Sequence, residues 1–171
     1  LGIAVQPSEA EVFRDEFLRS LADRGLRGTR LIIADDHKGL KAAAAKVLGA
    51  TVQRCRVHFM RNALACVGKK DRPIVTAALR TAFDQETMAA SKEHWTKLID
   101  AFQPRHPKLA ELMLRAEDDV LAYKTFPKAY WRRIHSFEQT LGLASICSRI
   151  PLKSDGVEIT GSVSPLVSGG I

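Results

Sequence analysis

Cysteine is scarce and unevenly placed. Cys55, Cys66 and Cys147 are the only three in 171 residues, too few and too irregular for a disulfide framework, so a reducing, cytoplasmic setting is expected. Long apolar runs are missing as well. No segment approaches the ~20 continuous apolar residues of a membrane helix, and the opening residues lack the charged, apolar and cleavable regions of an export leader. These absences exclude a disulfide-stapled secreted module and predict no membrane partner. Acidic residues are in deficit, 19 Asp+Glu against 26 Lys+Arg, and the resulting net charge of +7 favours a polyanionic partner, nucleic acid foremost. What is present is enough apolar material, 46%, to build a core in a chain of one-domain size.

The chain opens on Leu1-Gly2-Ile3-Ala4-Val5, which reads as the end of a strand already under way, as if the natural frame began upstream. Ser8-Glu9-Ala10-Glu11 has the form of a capping box, in which hydroxyl and carboxylate each satisfy a free backbone donor. Phe13, Phe17, Leu18 and Leu21 then recur at helical spacing, with Gly25 as a stop, predicting a helix over about 8–24. Leu31-Ile32-Ile33-Ala34 is a short apolar run with β-branched residues and predicts a buried strand ending in Asp35-Asp36. The Ala-rich stretch 39–48 predicts a helix, Thr51 to Cys55 a second strand, and Val57 to Val67 a further helix. Strand, helix, strand, helix implies parallel pairing, because a crossover helix lets successive strands run the same way. From Asp71 to about Arg133 only helical periodicity remains, punctuated by Pro104 and Pro107. The expected divisions are a core at 1–70, an all-helical insertion at 71–135, and a Ser/Gly-rich, disordered tail at 136–171.

Two carboxylates at the C-terminal end of a strand occupy the position where open α/β sheets hold ligands and metals. A hard divalent cation takes carboxylate oxygens, and two such ions can clamp the attacking and leaving oxygens of a phosphodiester. The competing reading is that Asp35 or Asp36 merely caps the following helix. Cys55 and His58 stand three apart at a strand-to-helix junction, which is half of a zinc site. His94, His106 and His135 are isolated in the sequence, so a packed cysteine beside a hydrogen-bonded histidine is the simpler expectation. Arg54, Arg56, Arg61, Lys69, Lys70 and Arg72 form a basic run able to neutralise phosphates, although a solvated helix face explains such runs more often. Trp131-Arg132-Arg133 beside Tyr130 offers a base-stacking platform.

Three segments, Arg24-Gly25-Leu26, Leu31 through Leu40 (Leu-Ile-Ile-Ala-Asp-Asp-His-Lys-Gly-Leu) and Val52 through Asn62 (Val-Gln-Arg-Cys-Arg-Val-His-Phe-Met-Arg-Asn), resemble in order and spacing the central signature of mutator-type transposases of bacterial insertion sequences. The Leu1-Gly2-Ile3 start and the helical stretch ending in Tyr130-Trp131-Arg132 fit the same pattern, so the likeness covers about residues 1–135. The resemblance implies a ribonuclease-H-like core, interrupted by a helical insertion before the last acid of an Asp-Asp-Glu triad. It makes Asp35 the second acid and a ligand of catalytic Mg²⁺ or Mn²⁺. His37, Cys55 and His58 become motif-supporting residues, and Arg54, Arg56, Arg61, Lys69 and Lys70 candidate DNA contacts. DNA ends and target are the implied partners, and an intact relative is expected to act as a homodimer beside the nucleoid. The implied reaction is metal-assisted attack of water, then of a freed 3′-hydroxyl, on DNA phosphodiesters.

Two departures accompany the likeness. The family's first acid lies upstream of the Leu-Gly-Ile segment, and Asp15 and Asp23 fall on the first helix instead of a central strand. After Ser136 the family's Asn-Pro-x-Glu-Arg-like stretch is replaced by Phe137-Glu138-Gln139-Thr140, as a frameshift near codon 136 would produce. The sequence therefore predicts a partial catalytic core, inactive as it stands, with a non-catalytic DNA-binding or self-associating remnant as the alternative.

Overall fold

The structure, a computed structural model, describes residues 11–36 and 38–136. The strand end at Leu1–Val5, the start of the capping box at Ser8, His37 and the tail beyond Ser136 lie outside the described residues. Contacts divide the described chain into two compact units, 11–33 with 38–52, and 34–36 with 53–136.

In the first unit, helix α1 (Glu11–Asp23) packs on helix α2 (Lys38–Leu48), with Leu18, Ala43 and Ala44 buried. The small alanines let the backbones approach. A Lys46–Asp15 ion pair at 3.1 Å bridges the same two helices at their exposed edge. Helix α1 stops where the sequence places its glycine. Gly25 takes φ 97°, Leu26 N–H reaches the Leu21 carbonyl at 3.0 Å and Gly25 N–H the Ala22 carbonyl at 3.0 Å. This paired 6→1 and 5→2 closure requires a residue tolerant of the left-handed region.

Strand β1 (Leu31–Ala34) pairs with strand β2 (Thr51–Arg54) in a two-stranded sheet. Thr51 N–H bonds to the Arg30 carbonyl and Cys55 N–H to the Ala34 carbonyl. Because both partners advance together, the pairing is parallel, as the crossover through α2 demands. The described fold is mixed α/β and mostly helical, in agreement with the class read from the sequence.

The second unit holds Ala34–Asp36 and the end of β2 with everything after it to Ser136. It comprises helices α3 (Arg56–Ala65), α4 (Arg72–Phe83), α5 (Met88–Phe102) and α6 (Pro107–Val120), two short 3₁₀ turns (Ala122–Thr125 and Lys128–Tyr130) and helix α7 (Trp131–Ile134). Helix α5 begins at Thr87, whose hydroxyl accepts the Ala90 N–H, and α6 begins on Pro107, whose missing donor is harmless at that position. An aromatic cluster forms the centre: the Phe59, Phe83 and Trp95 rings stand with centroids 5.4–6.3 Å apart. Trp95 is fully buried, and its indole N–H donates to the Met113 carbonyl at 3.0 Å. Leu79, Leu109, Met113, Val120 and Leu121 complete this core.

Candidate functional site

The acidic turn at the tip of β1 belongs to the second unit together with the residues that surround it. Asp36 N–H donates to Asp35 Oδ1 at 2.7 Å, which folds the half-buried Asp35 carboxylate back over the turn. The Asp36 carboxylate, 55% exposed, pairs at 3.1 Å with the guanidinium of Arg54, which is only 6% exposed. Nε and Nη2 of that guanidinium find no hydrogen-bond partner among the described residues, and its face lies 5.5 Å from the Phe59 ring centroid. Two adjacent carboxylates thus have different employment. Asp36 offsets a buried cation, while Asp35 keeps a hard oxygen donor at the strand tip. Among the described residues no group of three His, Cys, Asp or Glu side chains gathers to hold a metal. Asp35 suits one ligand of a hard cation and does not make a closed site by itself.

Cys55 is completely buried at the β2–α3 junction, and its sulfur lies 3.2 Å from the hydroxyl of Ser136. His58, half-buried, sits in the first turn of α3. The basic run separates into two groups. Arg54 lies inside, and half-buried Arg56 stacks 4.3 Å above the Phe83 ring, where burial lowers its pKa from the usual arginine value. Arg61, Lys69 and Lys70 are exposed. Arg72 is exposed as well and donates to the Leu64 carbonyl at 3.1 Å.

The aromatic residues near the end of the helical stretch are tied into the protein. Trp131 N–H donates to the Phe126 carbonyl at 2.7 Å, its edge meets Tyr123, and the buried Lys124 ammonium stands 4.3 Å from its ring centroid. Burial depresses the Lys124 pKa to about 8 and raises that of Tyr123 to about 12. His135 stands edge-on to Tyr123; burial first, and the Arg56 charge second, hold its pKa down at about 4.

Sequence reasoning did not single out Gln53. It is fully buried in β2, donates to the Arg54 and Val120 carbonyls at 2.7 and 2.9 Å, and accepts the Tyr123 N–H at 2.6 Å. A polar residue beside Val52 in a short buried strand was the available signal. Ser136 carried none.

The family model described as "Transposase, Mutator family" matches residues 1–149, a span that runs past Ser136. The transposase for insertion sequence element IS1081 of Mycobacterium tuberculosis is 36% identical over 137 residues, 80% of this chain and 33% of the relative. The transposase for IS406 of Burkholderia multivorans is 38% identical over 138 residues, 80% of this chain and 36% of the relative. The transposase for IS256 in transposon Tn4001 of Staphylococcus aureus is 32% identical over 126 residues, 72% of this chain and 32% of the relative. The chain therefore spans about a third of the length of the curated relatives it matches.

Proposed function

The chain belongs to the mutator family of transposases, and on that premise we propose that it supplies the middle of a DNA strand-cleaving and strand-transferring centre. The observation that carries this reading is the division of labour at the β1 tip: Arg54 occupies Asp36 and leaves Asp35 as the oxygen donor. Mg²⁺ or Mn²⁺, when bound, neutralises charge developing on the phosphodiester oxygens. Asp35 would supply one oxygen ligand to that ion, and acids from outside the described residues would have to complete the set. The β1–α2–β2 unit is then one crossover of a ribonuclease-H-like sheet, with the helical stretch from α4 onward as its insertion. Arg61, Lys69 and Lys70 offset DNA phosphates, whereas Arg54 and Arg56 are engaged in the interior. Two transposon ends must be brought together for strand transfer, so a homodimer acting on chromosomal DNA in the cytoplasm is the assembly proposed.

The test is cleavage of a transposon-end duplex with Mn²⁺. Asp35→Asn abolishes it while Asp36→Asn retains a measurable fraction; equal activity of Asp35→Asn and the parent chain defeats the assignment. A second reading, DNA binding without cleavage, is favoured because among the described residues no group of three His, Cys, Asp or Glu side chains gathers around Asp35 or elsewhere to hold a metal. It predicts retention of the same duplex with no Mn²⁺-dependent product.

A further inference from the structure

We infer that Cys55 is a positioning residue, whose thiol latches the end of the helical block at Ser136 onto the strand tip that carries the acidic turn. The two side chains are 81 residues apart in sequence, both fully buried, and 3.2 Å apart. A thiol suits this place because it tolerates complete burial as a small apolar group and still offers a weak hydrogen bond. Two backbone bonds flank the pair. Cys55 N–H donates to the carbonyl of Ala34, the residue before Asp35, at 2.7 Å, and Arg56 N–H donates to the His135 carbonyl at 3.0 Å.

The second bond fills a specific need. The first N–H groups of a helix lack intrahelical partners, and Cys55 at the N-cap of α3 gives no side-chain cap. The His135 carbonyl supplies that cap from the far end of the block. Two residues earlier, Gln53 holds the Val120–Tyr123 corner, so the tetrapeptide 53–56 grips the block at its last corner and at its end. Arg54, between the gripping residues, holds Asp36. A displacement of residues 135–136 is thereby transmitted to the Asp35 turn through a buried, bonded path. The latch itself stands on geometry; its bearing on catalysis rests on the reading of Asp35 proposed above.

Cross-linking tests the latch. In the whole chain carrying Cys66→Ser and Cys147→Ser, Ser136→Cys places a second thiol opposite Cys55. Diamide then removes one hydrogen from each thiol and is itself reduced to the hydrazine. The expected product is an intramolecular disulfide formed in the folded chain and not in urea; absence of cross-linking in the folded chain overturns the proposal. Amide hydrogen exchange tests the positioning. Cys55→Ala is expected to speed exchange at Arg56 and Asp36 by about tenfold over the helical core, with Cys55→Ser restoring protection. Ser136→Ala, which removes the partner with little change in volume, should give the same local loss. Unchanged protection at both amides in Ser136→Ala refutes the latch, whereas active Asp35→Asn with intact cross-linking refutes only the catalytic reading.

Discussion

At the scale of single residues, the Arg54–Asp36 pair is lopsided, because one member is buried and the other meets solvent. Removing the carboxylate strands a guanidinium in the interior, whereas removing the guanidinium leaves a carboxylate that water can solvate. Asp36→Asn is therefore expected to lower the stability of the chain by about 1–2 kcal/mol, a value reduced for the exposure of Asp36, and Arg54→Met by less, or not at all. Urea midpoints of the two variants check the order. His135 provides a titration of known sign. Its pKa is about 4 in the fold against 6.5 ordinarily, so between those values the unfolded chain takes up a proton that the folded chain refuses. Stability then falls as pH drops from 6.5 towards 4 and is insensitive to this group below that. The slope stays under about 1.4 kcal/mol per pH unit, and partial exposure of the ring reduces it further. Thermal unfolding of the parent and His135→Gln across this window should show the slope diminished in the variant. The sequence made the acidic pair legible as the end of a strand, but could not say which acid stays available. That distinction depends on Arg54, whose approach to the turn is set by strand pairing.

Among the elements, periodicity and punctuation were sufficient for the helices. The apolar positions Val75, Leu79 and Phe83 of α4 and Leu109, Met113 and Ala116 of α6 are buried as their spacing demands, whereas Ile74, read in the same periodic set, is 67% exposed, and α5 and α6 meet across the stretch marked by Pro104 and Pro107. Strand β1 has the bounds its β-branched run implies. Neither 3₁₀ turn between α6 and α7 was legible; at the first, Ala122–Thr125, the backbone is held by a side chain from β2. Gln53 satisfies a carbonyl and an N–H of that corner. Gln53→Leu keeps the volume roughly and abandons both groups in a dry interior, so a loss of about 2–3 kcal/mol is expected. A calorimetric or urea-melt comparison with the parent measures it; a neutral Gln53→Leu contradicts the pinning role. The Cys-x-x-His spacing was visible for a similar reason only in part: the motif is local, and the Ser136 hydroxyl that answers its cysteine arrives from far along the chain.

For the molecule as a whole, the net charge of +7 says less than its distribution. Two arginines of the basic run serve the interior, and Arg61, Lys69 and Lys70 remain at the surface. If these three meet phosphates, alanine at all three should weaken duplex binding across sequences alike. The slope of log affinity against log salt should shrink by up to about 3, close to one per cation lost; fluorescence anisotropy at several salt concentrations measures both. Among the described residues no helix is long and apolar enough to cross a membrane. Family membership was legible because the segments Leu31–Leu40 and Val52–Asn62 carry an ordered pattern that composition alone does not. The wider sheet that the resemblance implies was not, since two strands are all that the described residues contribute.

The cap that His135 lends to α3 also sets an order of events during synthesis. As the polypeptide leaves the ribosome, the strand tips and the start of α3 emerge long before the carbonyl that completes them. The first turn of α3 must therefore wait, uncapped, while α4, α5 and α6 assemble from local contacts, and closing so distant a link comes late because the intervening loop must first lose its freedom. Translation arrested within the helical block would leave a nascent chain with helices formed and the start of α3 still without its cap.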